Sequence, residues 1–101
     1  MIYFVRSIGI QQGKGPQAFQ WAVQIANWIN AHYPGLDVQV LRNVSGPRWQ
    51  IHWVSHYESR AHWGEMMVQI GAEPAYRQVT SGGEELVVQS SWQDTLYEKV
   101  S

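Results

Sequence analysis

Cysteine is absent from this chain of 101 residues, which excludes disulfide bonds and thiolate metal ligands. That composition is compatible with the reducing cytoplasm, where we expect the protein to reside. No apolar run approaches the ~20 residues that a membrane helix requires, and no apolar signal-peptide segment follows basic residues at the N-terminus. We therefore expect neither a membrane partner nor a secreted, disulfide-bonded domain.

Charge is also scarce. The chain has 7 basic and 8 acidic residues, and charged residues make up 15% of it, whereas about 25% is typical of a soluble domain. Such a balance provides no basic surface for nucleic acid or an anionic membrane. Aromatic residues reach 13%. Because obligate interfaces are depleted in charge and rich in aromatic side chains, the composition predicts a homodimer.

Repeats, low-complexity tracts and linkers are missing as well, so we expect residues 1–101 to form one domain. A chain of this length buries roughly two thirds of its unfolded surface in one core. Gly13-Lys14-Gly15 lacks the spacing of either nucleotide-binding fingerprint. We predict no tightly held cofactor.

Candidate functional side chains are most concentrated in residues 49–63, which contain three tryptophans and three histidines. Residues 49–57 alternate between two sides, a period typical of a strand. From Ser59 onward the apolar residues recur at helical spacing, at Trp63, Met66, Met67 and Ile70. A strand therefore passes into a helix with almost no loop, and Ser59 is well placed to cap that helix.

The remaining elements are predicted in the same way. Residues 2–10 indicate a central strand, because both of its sides carry large apolar groups. Residues 16–33 indicate a helix with an apolar arc of roughly 220°, wider than the ~100° that contact with one sheet requires. Residues 36–44 and 85–92 read as further strands, and residues 93–101 as either a strand end or a short helix.

The element order β-α-β-β-α-β predicts a ferredoxin-like α+β fold, in which a four-stranded antiparallel sheet carries both helices on one face. A solvated second face should alternate to polar residues. The first and third strands instead keep large side chains on both faces. We therefore expect the second face to meet the sheet of another copy.

This chain resembles the dimeric α/β-barrel superfamily, and within it the antibiotic-biosynthesis-monooxygenase-like and NIPSNAP-like groups. The resemblance rests on the element order, the Gly13-Lys14 turn, the strand-to-helix junction at residues 57–61, and Ala72-Glu-Pro-Ala-Tyr76 after the second long helix. It implies a homodimer whose two sheets form a barrel, with a pocket between sheet and helices in each subunit.

Activities in the superfamily are diverse, so the fold assigns none of them. Members include cofactor-independent monooxygenases that act on phenolic polycycles, haem-degrading enzymes, and proteins with no known reaction. The haem-degrading pattern places an asparagine on the first strand and a histidine after the second helix, where this sequence has Ser7 and Glu73. The resemblance therefore argues against haem degradation.

His52 and His56 are the candidate catalytic residues. On a strand they share a face but lie about 13 Å apart at ~3.3 Å per residue, whereas metal ligands lie within ~2.1 Å of one ion. This spacing excludes a shared metal ion. Either imidazole suits a general base, since histidine titrates near pH ~6.5. The alternative is that both are hydrogen-bonded residues of the core or of a dimer interface.

Four residues are the candidate ligand-binding set: Arg6, Trp53, Trp63 and Met67. The tryptophans, with Trp21 and Trp28, form either the wall of a flat aromatic pocket or ordinary core. Met67, beside Met66, either adapts to an irregular ligand or fills space.

Arg6 and Arg42 each lie on an otherwise apolar strand face in the predicted sheet. A buried guanidinium needs a partner. Glu85, a carboxylate of a second subunit and a ligand anion are the three alternatives.

The sequence thus predicts a small homodimeric barrel protein that binds a small aromatic or apolar ligand. In one interpretation it also oxidises that ligand as a cofactor-independent monooxygenase-like protein. The alternative is a non-catalytic ligand-binding or assembly module of the same fold, and haem binding is the least supported interpretation.

Overall fold

A computed structural model describes all 101 residues. In chain order the elements are β1 Ile2–Ile10, α1 Gly15–His32, β2 Gln39–Leu41, β3 Gln50–Tyr57, α2 Arg60–Ala72, α3 Pro74–Thr80, a 3₁₀ turn Gly83–Glu85, and β4 Val87–Glu98. None of the helices combines the length and apolar composition needed to cross a membrane.

The four strands form one antiparallel sheet in the order β2-β3-β1-β4. β1 pairs with β3 along nearly its whole length, from Ile2 opposite Tyr57 to Gly9 opposite Gln50. On its other side β1 pairs with β4. The predicted ferredoxin-like α+β fold and the central position of β1 are both confirmed.

The core lies on one face of the sheet, under the helices. Alternate residues of β1 and β3 point to this face, and Ile8 and Ile51, which lie opposite each other, are 1% and 0% exposed. α1 packs against them through small residues, since Ala18 and Ala22 are fully buried. These alanines let the helix backbone approach the sheet closely.

The other face of the sheet carries no helix, and we call it the open face. Its side chains alternate along each strand with those of the core face. None of them is Asp, Glu, Lys or Arg. They are Tyr3, Val5, Ser7, Gly9, Gln39, Leu41, Gln50, His52, Val54, His56, Val88, Gln93, Thr95 and Tyr97.

β2 is shorter than predicted, because only residues 39–41 of the expected strand 36–44 pair with β3. Asn30 of α1 binds the Val38 backbone twice, accepting from its N–H at 2.8 Å and donating to its carbonyl at 3.0 Å. These are the groups that a strand ladder would need. Asp37 has φ +50°, which bends the chain just before the strand. Arg42 consequently lies beyond β2 and is exposed, contrary to the prediction of an apolar strand face.

The predicted start of α2 is confirmed, since the Ser59 hydroxyl accepts the His62 backbone N–H at 3.1 Å. Pro74 begins a separate short helix rather than one more turn of α2. The last strand begins two residues later than predicted because Gly82, at φ +84°, leads into the 3₁₀ turn. β4 then runs to Glu98, so the strand-end alternative for the tail holds.

A bulge interrupts the pairing of β1 with β4 between Ser7 and Gly9. The Ser91 hydroxyl fills the gap, accepting the Gly9 N–H at 2.8 Å and donating to the Val88 carbonyl at 2.6 Å. Bulges re-aim neighbouring side chains. Here the bulge precedes Trp92, whose ring stacks on Trp53 of the core face at 5.9 Å between centroids.

Candidate functional site

A cavity of about 570 Å³ lies between the sheet and the helices, within the ~300–1,000 Å³ range of small-molecule pockets. Residues of all three helices and of β1, β3 and β4 line it. The apolar stripe of α2 explains why it stays open: Ile70 is the only buried residue of that helix, whereas Trp63 and Met67 are half-buried. The stripe faces the cavity instead of closing onto the sheet.

Aromatic side chains dominate the wall of this cavity. Trp53 is central: its ring meets Trp21 edge-on at 5.7 Å and stacks on Trp92 at 5.9 Å with 15° between planes. Its indole N–H donates to the Ala22 carbonyl of α1 at 3.1 Å. The hydrogen bond and the two ring contacts fix its orientation. The aromatic residues that line the cavity are Phe4, Trp21, Trp53, Tyr57, Trp63, Tyr76 and Trp92.

Trp21 joins α1 to the segment after α3. Its indole N–H donates to the Thr80 carbonyl at 3.1 Å, and its ring lies against Gly83. A Cβ on Gly83 would come closer than 3.0 Å to three atoms of that ring. Glycine is therefore required for this close approach, and the wall of the cavity depends on it.

Arg6 and Asp94 form a bidentate ion pair beside the aromatic wall of the cavity. Nε and Nη2 of Arg6 donate to the Asp94 carboxylate at 2.8 and 2.9 Å, and the side chains are 32% and 45% exposed. The hydrogen bonds with Asp94 raise the pKa of Arg6, the Asp94 charge adds to this, and partial burial opposes it. The guanidinium also lies 5.3 Å from the Phe4 ring centroid and 5.5 Å from that of Trp92.

The partner of Arg6 is thus Asp94, and not Glu85 as one alternative proposed. Glu85 lies in the 3₁₀ turn and is exposed. Among the residues that line the cavity, the remaining charged one is Glu84, which is exposed at its edge.

Two buried hydroxyl groups add polarity to the cavity. Ser55 Oγ and Tyr57 Oη lie 3.0 Å apart on β3, and both residues are buried. Burial raises the pKa of the Tyr57 hydroxyl, opposed by the Ser55 hydrogen bond and the Arg6 charge. Tyr57 therefore remains a neutral hydroxyl that can both donate and accept a hydrogen bond.

Trp63 carries the one buried side-chain polar atom that has no hydrogen-bond partner, its indole nitrogen. Its ring meets Phe4 edge-on at 5.5 Å. An indole N–H can only donate, and leaving such a buried donor unmet costs about 1–3 kcal/mol. An acceptor atom on a bound molecule would recover that energy.

The structure brings all four candidate ligand-binding residues to this one cavity: Arg6, Trp53, Trp63 and Met67. Trp21 also lines it, but Trp28 does not and instead stacks on His32 at 4.2 Å.

Sequence reasoning missed Tyr57, Trp92 and Asp94 as cavity residues. Tyr57 follows from the alternation of β3, since it shares a face with Trp53. Trp92 and Asp94 depend on the bulge in β4, which no sequence signal marks.

The two candidate catalytic histidines lie on the open face, on the opposite side of the sheet from the cavity. Strand alternation is the reason, because even-numbered residues of β3 point away from Trp53. His56 instead borders a smaller cleft of about 320 Å³ that contains no tryptophan. Neither histidine is among the residues that line the larger cavity.

His52 sits in a chain of hydrogen bonds. Its Nδ1 is 2.6 Å from Ser7 Oγ, and its Nε2 is 2.6 Å from Asn43 Oδ1. An amide oxygen only accepts, so in the neutral form of the ring Nε2 carries the proton and Nδ1 accepts from the Ser7 hydroxyl. The neutral imidazole is thereby fully hydrogen-bonded.

No group of three or more histidine, aspartate or glutamate side chains is arranged to hold a metal ion. The polar groups of the cavity thus include the buried hydroxyls of Ser55 and Tyr57, the indole N–H of Trp63, the paired charges of Arg6 and Asp94, and the Glu84 carboxylate at the edge.

The chain matches no protein-family model and no curated protein. It does match solved structures over nearly its whole length. A NIPSNAP domain protein from Burkholderia xenovorans has 14% identity and a TM-score of 0.81, covering 100% of this chain and 96% of that one. A NIPSNAP family protein of unknown function from Agrobacterium tumefaciens has 17% identity and a TM-score of 0.77, covering 96% and 86%.

A candidate antibiotic biosynthesis monooxygenase from Deinococcus radiodurans has 20% identity and a TM-score of 0.72, covering 100% of this chain and 94% of that one. Identities this low establish the fold alone. The predicted resemblance to NIPSNAP-like and monooxygenase-like proteins is confirmed as a similarity of structure.

Proposed function

We propose that this protein is a homodimer that binds a flat, neutral aromatic molecule carrying a hydrogen-bond acceptor oxygen, such as a ketone or phenol. The observation that carries the proposal is the aromatic-walled cavity of about 570 Å³, which also contains the unpaired indole N–H of Trp63. Planar rings stack on such walls. The cysteine-free composition supports the cytoplasm as the location.

The charges around the cavity favour a neutral ligand. Arg6 is the only basic residue that lines the cavity, and its Nε and Nη2 both donate hydrogen bonds to the Asp94 carboxylate. Glu84 adds a negative charge at the edge. An anionic ligand would meet no free cation here, whereas a neutral ligand leaves the ion pair intact.

The open face supports the homodimer. The nine residues of the central strand β1 at ~3.3 Å each and four strands at ~4.8 Å spacing make a face of roughly 30 by 19 Å. Because side chains project from the sheet, the accessible area of this face is larger than that flat rectangle and approaches the ~800 Å² that each partner of a stable interface buries. Large groups stand exposed on it, with Leu41 at 47% and Tyr97 at 53%. A second copy of the same uncharged face would cover them at no electrostatic cost.

Binding is tested with fluorenone, a planar aromatic ketone, by isothermal titration calorimetry. Gly71 lines the cavity, and nothing lies within 4 Å of a Cβ built on it, so Gly71→Leu begins a side chain at the cavity wall with no clash at Cβ. Gly64 is equally open on the same helix but does not line the cavity, and Gly64→Leu is the matched control. We expect Gly71→Leu to weaken binding at least about tenfold, or ~1.4 kcal/mol. Equal effects of the two substitutions would refute the site.

The acceptor oxygen is tested by pairing fluorenone with fluorene, which lacks the ketone. Trp63→Phe keeps an aromatic ring and removes the N–H. A hydrogen bond contributes about 0.5–1.5 kcal/mol, so the substitution should raise the dissociation constant of fluorenone roughly 2- to 12-fold. Fluorene binding should change little. If both ligands respond alike, Trp63 contributes only its ring.

Oxidation of the ligand is the second candidate function, supported by the name of the Deinococcus radiodurans neighbour and by the carboxylates at the cavity. Anthrone is the test substrate: one O₂ converts its ring CH₂ to a carbonyl, and the other oxygen leaves as water. Oxygen uptake that is lost in Gly71→Leu and kept in Gly64→Leu would establish catalysis in the cavity.

That reaction needs a base that contacts the anthrone. A base on the open face cannot contact the anthrone, so uptake should survive His52→Ala and His56→Ala and fall in Glu84→Gln. Uptake abolished by the histidine substitutions would restore them as catalytic residues. No uptake above the protein-free rate would leave the protein a binder.

A further inference from the structure

The open face has no Asp, Glu, Lys or Arg side chain, but it carries two histidines. These are His52 and His56, both on β3. A histidine in water gains its charge as the pH falls through ~6.5. Protonation of an imidazole is therefore the way in which this face can gain a positive charge.

The surroundings of His52 are uncharged on every side. Ser7 of β1, Leu41 of β2 and Gln93 of β4 lie in its row of the sheet, and Asn43 binds its Nε2. The neutral ring has both nitrogens hydrogen-bonded. It can therefore be covered by another molecule without leaving a polar group unmet.

His56 differs from His52 in having titratable neighbours. Its ring lies 6.0 Å from that of Tyr3, in a row that also contains Tyr97. Glu58 and His62 line the small cleft that His56 borders. The Glu58 carboxylate can partly offset a positive charge on His56, whereas nothing offsets one on His52.

We propose that self-association through the open face is a pH-dependent switch, in which the neutral form of His52 permits the dimer and its protonated form dissociates it. This inference rests on the homodimer proposed above and adds its regulation. His56 makes a smaller contribution in the same direction.

The sign follows from the cost of covering a charge. A protonated imidazole buried against an uncharged surface has no carboxylate partner, and two such cations, one from each copy, would share one interface. Covering the face thus favours the neutral ring, so dissociation is accompanied by proton uptake. The dimer therefore weakens as the pH falls.

The size of the effect follows from the same linkage. Each histidine that must be neutral in the dimer raises the dissociation constant by about 11-fold at one pH unit below ~6.5. A dimer that needs one neutral histidine in each copy would, for the reference value of histidine, weaken roughly 100-fold between pH ~8 and pH ~5.5. Full participation of both His56 side chains would increase this further.

The experiment is sedimentation equilibrium of the full chain at pH ~8 and pH ~5.5, with circular dichroism to verify the fold at each pH. At the higher pH we expect a mass near twice 11.6 kDa, and the dissociation constant should rise about 100-fold at the lower pH. His52→Gln should remove most of that rise. His62→Gln, outside the open face, is the matched control and should respond like the native chain. If His52→Gln does not fold, His52→Leu provides the neutral side chain.

The outcomes separate the two proposals. A monomer at pH ~8 would contradict the homodimer itself. A dimer whose dissociation constant is the same at both pH values would overturn the switch and leave the homodimer standing. A rise that persists in His52→Gln combined with His56→Gln would overturn it too, because other groups would then carry the response.

Discussion

Replacing Gly83 with alanine tests the packing that shapes the cavity. The added Cβ would lie closer than 3.0 Å to three atoms of the Trp21 ring. The ring has little freedom to move, because its N–H donates to the Thr80 carbonyl and it makes an edge-to-face contact with the Trp53 ring. Either the 3₁₀ turn or Trp21 must shift. Overpacking of this kind costs about 1–3 kcal/mol.

The assay is the free energy of unfolding from urea titration, read by tryptophan fluorescence. The matched control is Gly64→Ala, since Gly64 has open space around its Cβ. In a helix that substitution should stabilise by about 0.5–1 kcal/mol. Gly83→Ala should lower the free energy of unfolding by about 1–3 kcal/mol and also weaken the binding of fluorenone. Equal stability of Gly83→Ala and the native chain would refute the packing argument.

A double substitution locates the clash. Trp21→Phe replaces the fused ring whose six-membered part lies against Gly83. In that background Gly83→Ala should cost less than in the native chain, giving a coupling of about 0.5–3 kcal/mol. Additive costs would place the strain elsewhere.

Three further substitutions have expected outcomes. Ser59→Ala removes the helix cap and should lower the free energy of unfolding by about 0.5–2 kcal/mol in urea titration; no loss would mean that water caps the helix equally well. Asp94→Asn removes the charge that occupies Arg6, so calorimetry should show a fluorene carboxylate gaining affinity relative to fluorenone. Burial raises the pKa of Tyr57, so the folded state keeps the neutral hydroxyl and loses stability as the pH rises above ~10, where an unfolded tyrosine ionises. Tyr57→Phe should shrink that alkaline loss, and an unchanged pH profile would count against it.

The sheet was predictable because its signal is local and periodic. Alternation in residues 2–10 and 50–57 identifies two strands and, through parity, which residues share a face. The same parity separates His52 from Trp53. The sequence could therefore have placed the histidines away from the tryptophan wall.

The parts that were missed depend on contacts between distant residues. β2 is short because Asn30, on a helix, takes the Val38 backbone groups. Trp92 stacks on Trp53, and Asp94 pairs with Arg6. Both residues follow the bulge in β4, where the Ser91 hydroxyl makes the hydrogen bonds, and the bulge sets the face to which they point. Neither the shortening of β2 nor the bulge in β4 produces a periodic pattern in the sequence. Residue propensity and spacing alone therefore could not predict them.

The cavity itself was only partly predictable. The helical spacing of Trp63 and Met67 indicates an apolar stripe, and core packing and ligand contact share that pattern. The distinction comes from how closely α2 approaches the sheet, which the half-buried state of the stripe reveals. Sequence spacing contains no information about that separation.

The most direct test of ligand binding in the cavity is the response of the six indole N–H signals in a two-dimensional nitrogen–proton NMR spectrum during titration with fluorenone. Trp21, Trp53, Trp63 and Trp92 line the cavity, whereas Trp28 and Trp49 do not. We expect the first four signals to shift together with one dissociation constant, and the other two to stay in place. Movement of the Trp28 or Trp49 signals with the four unchanged would contradict the account.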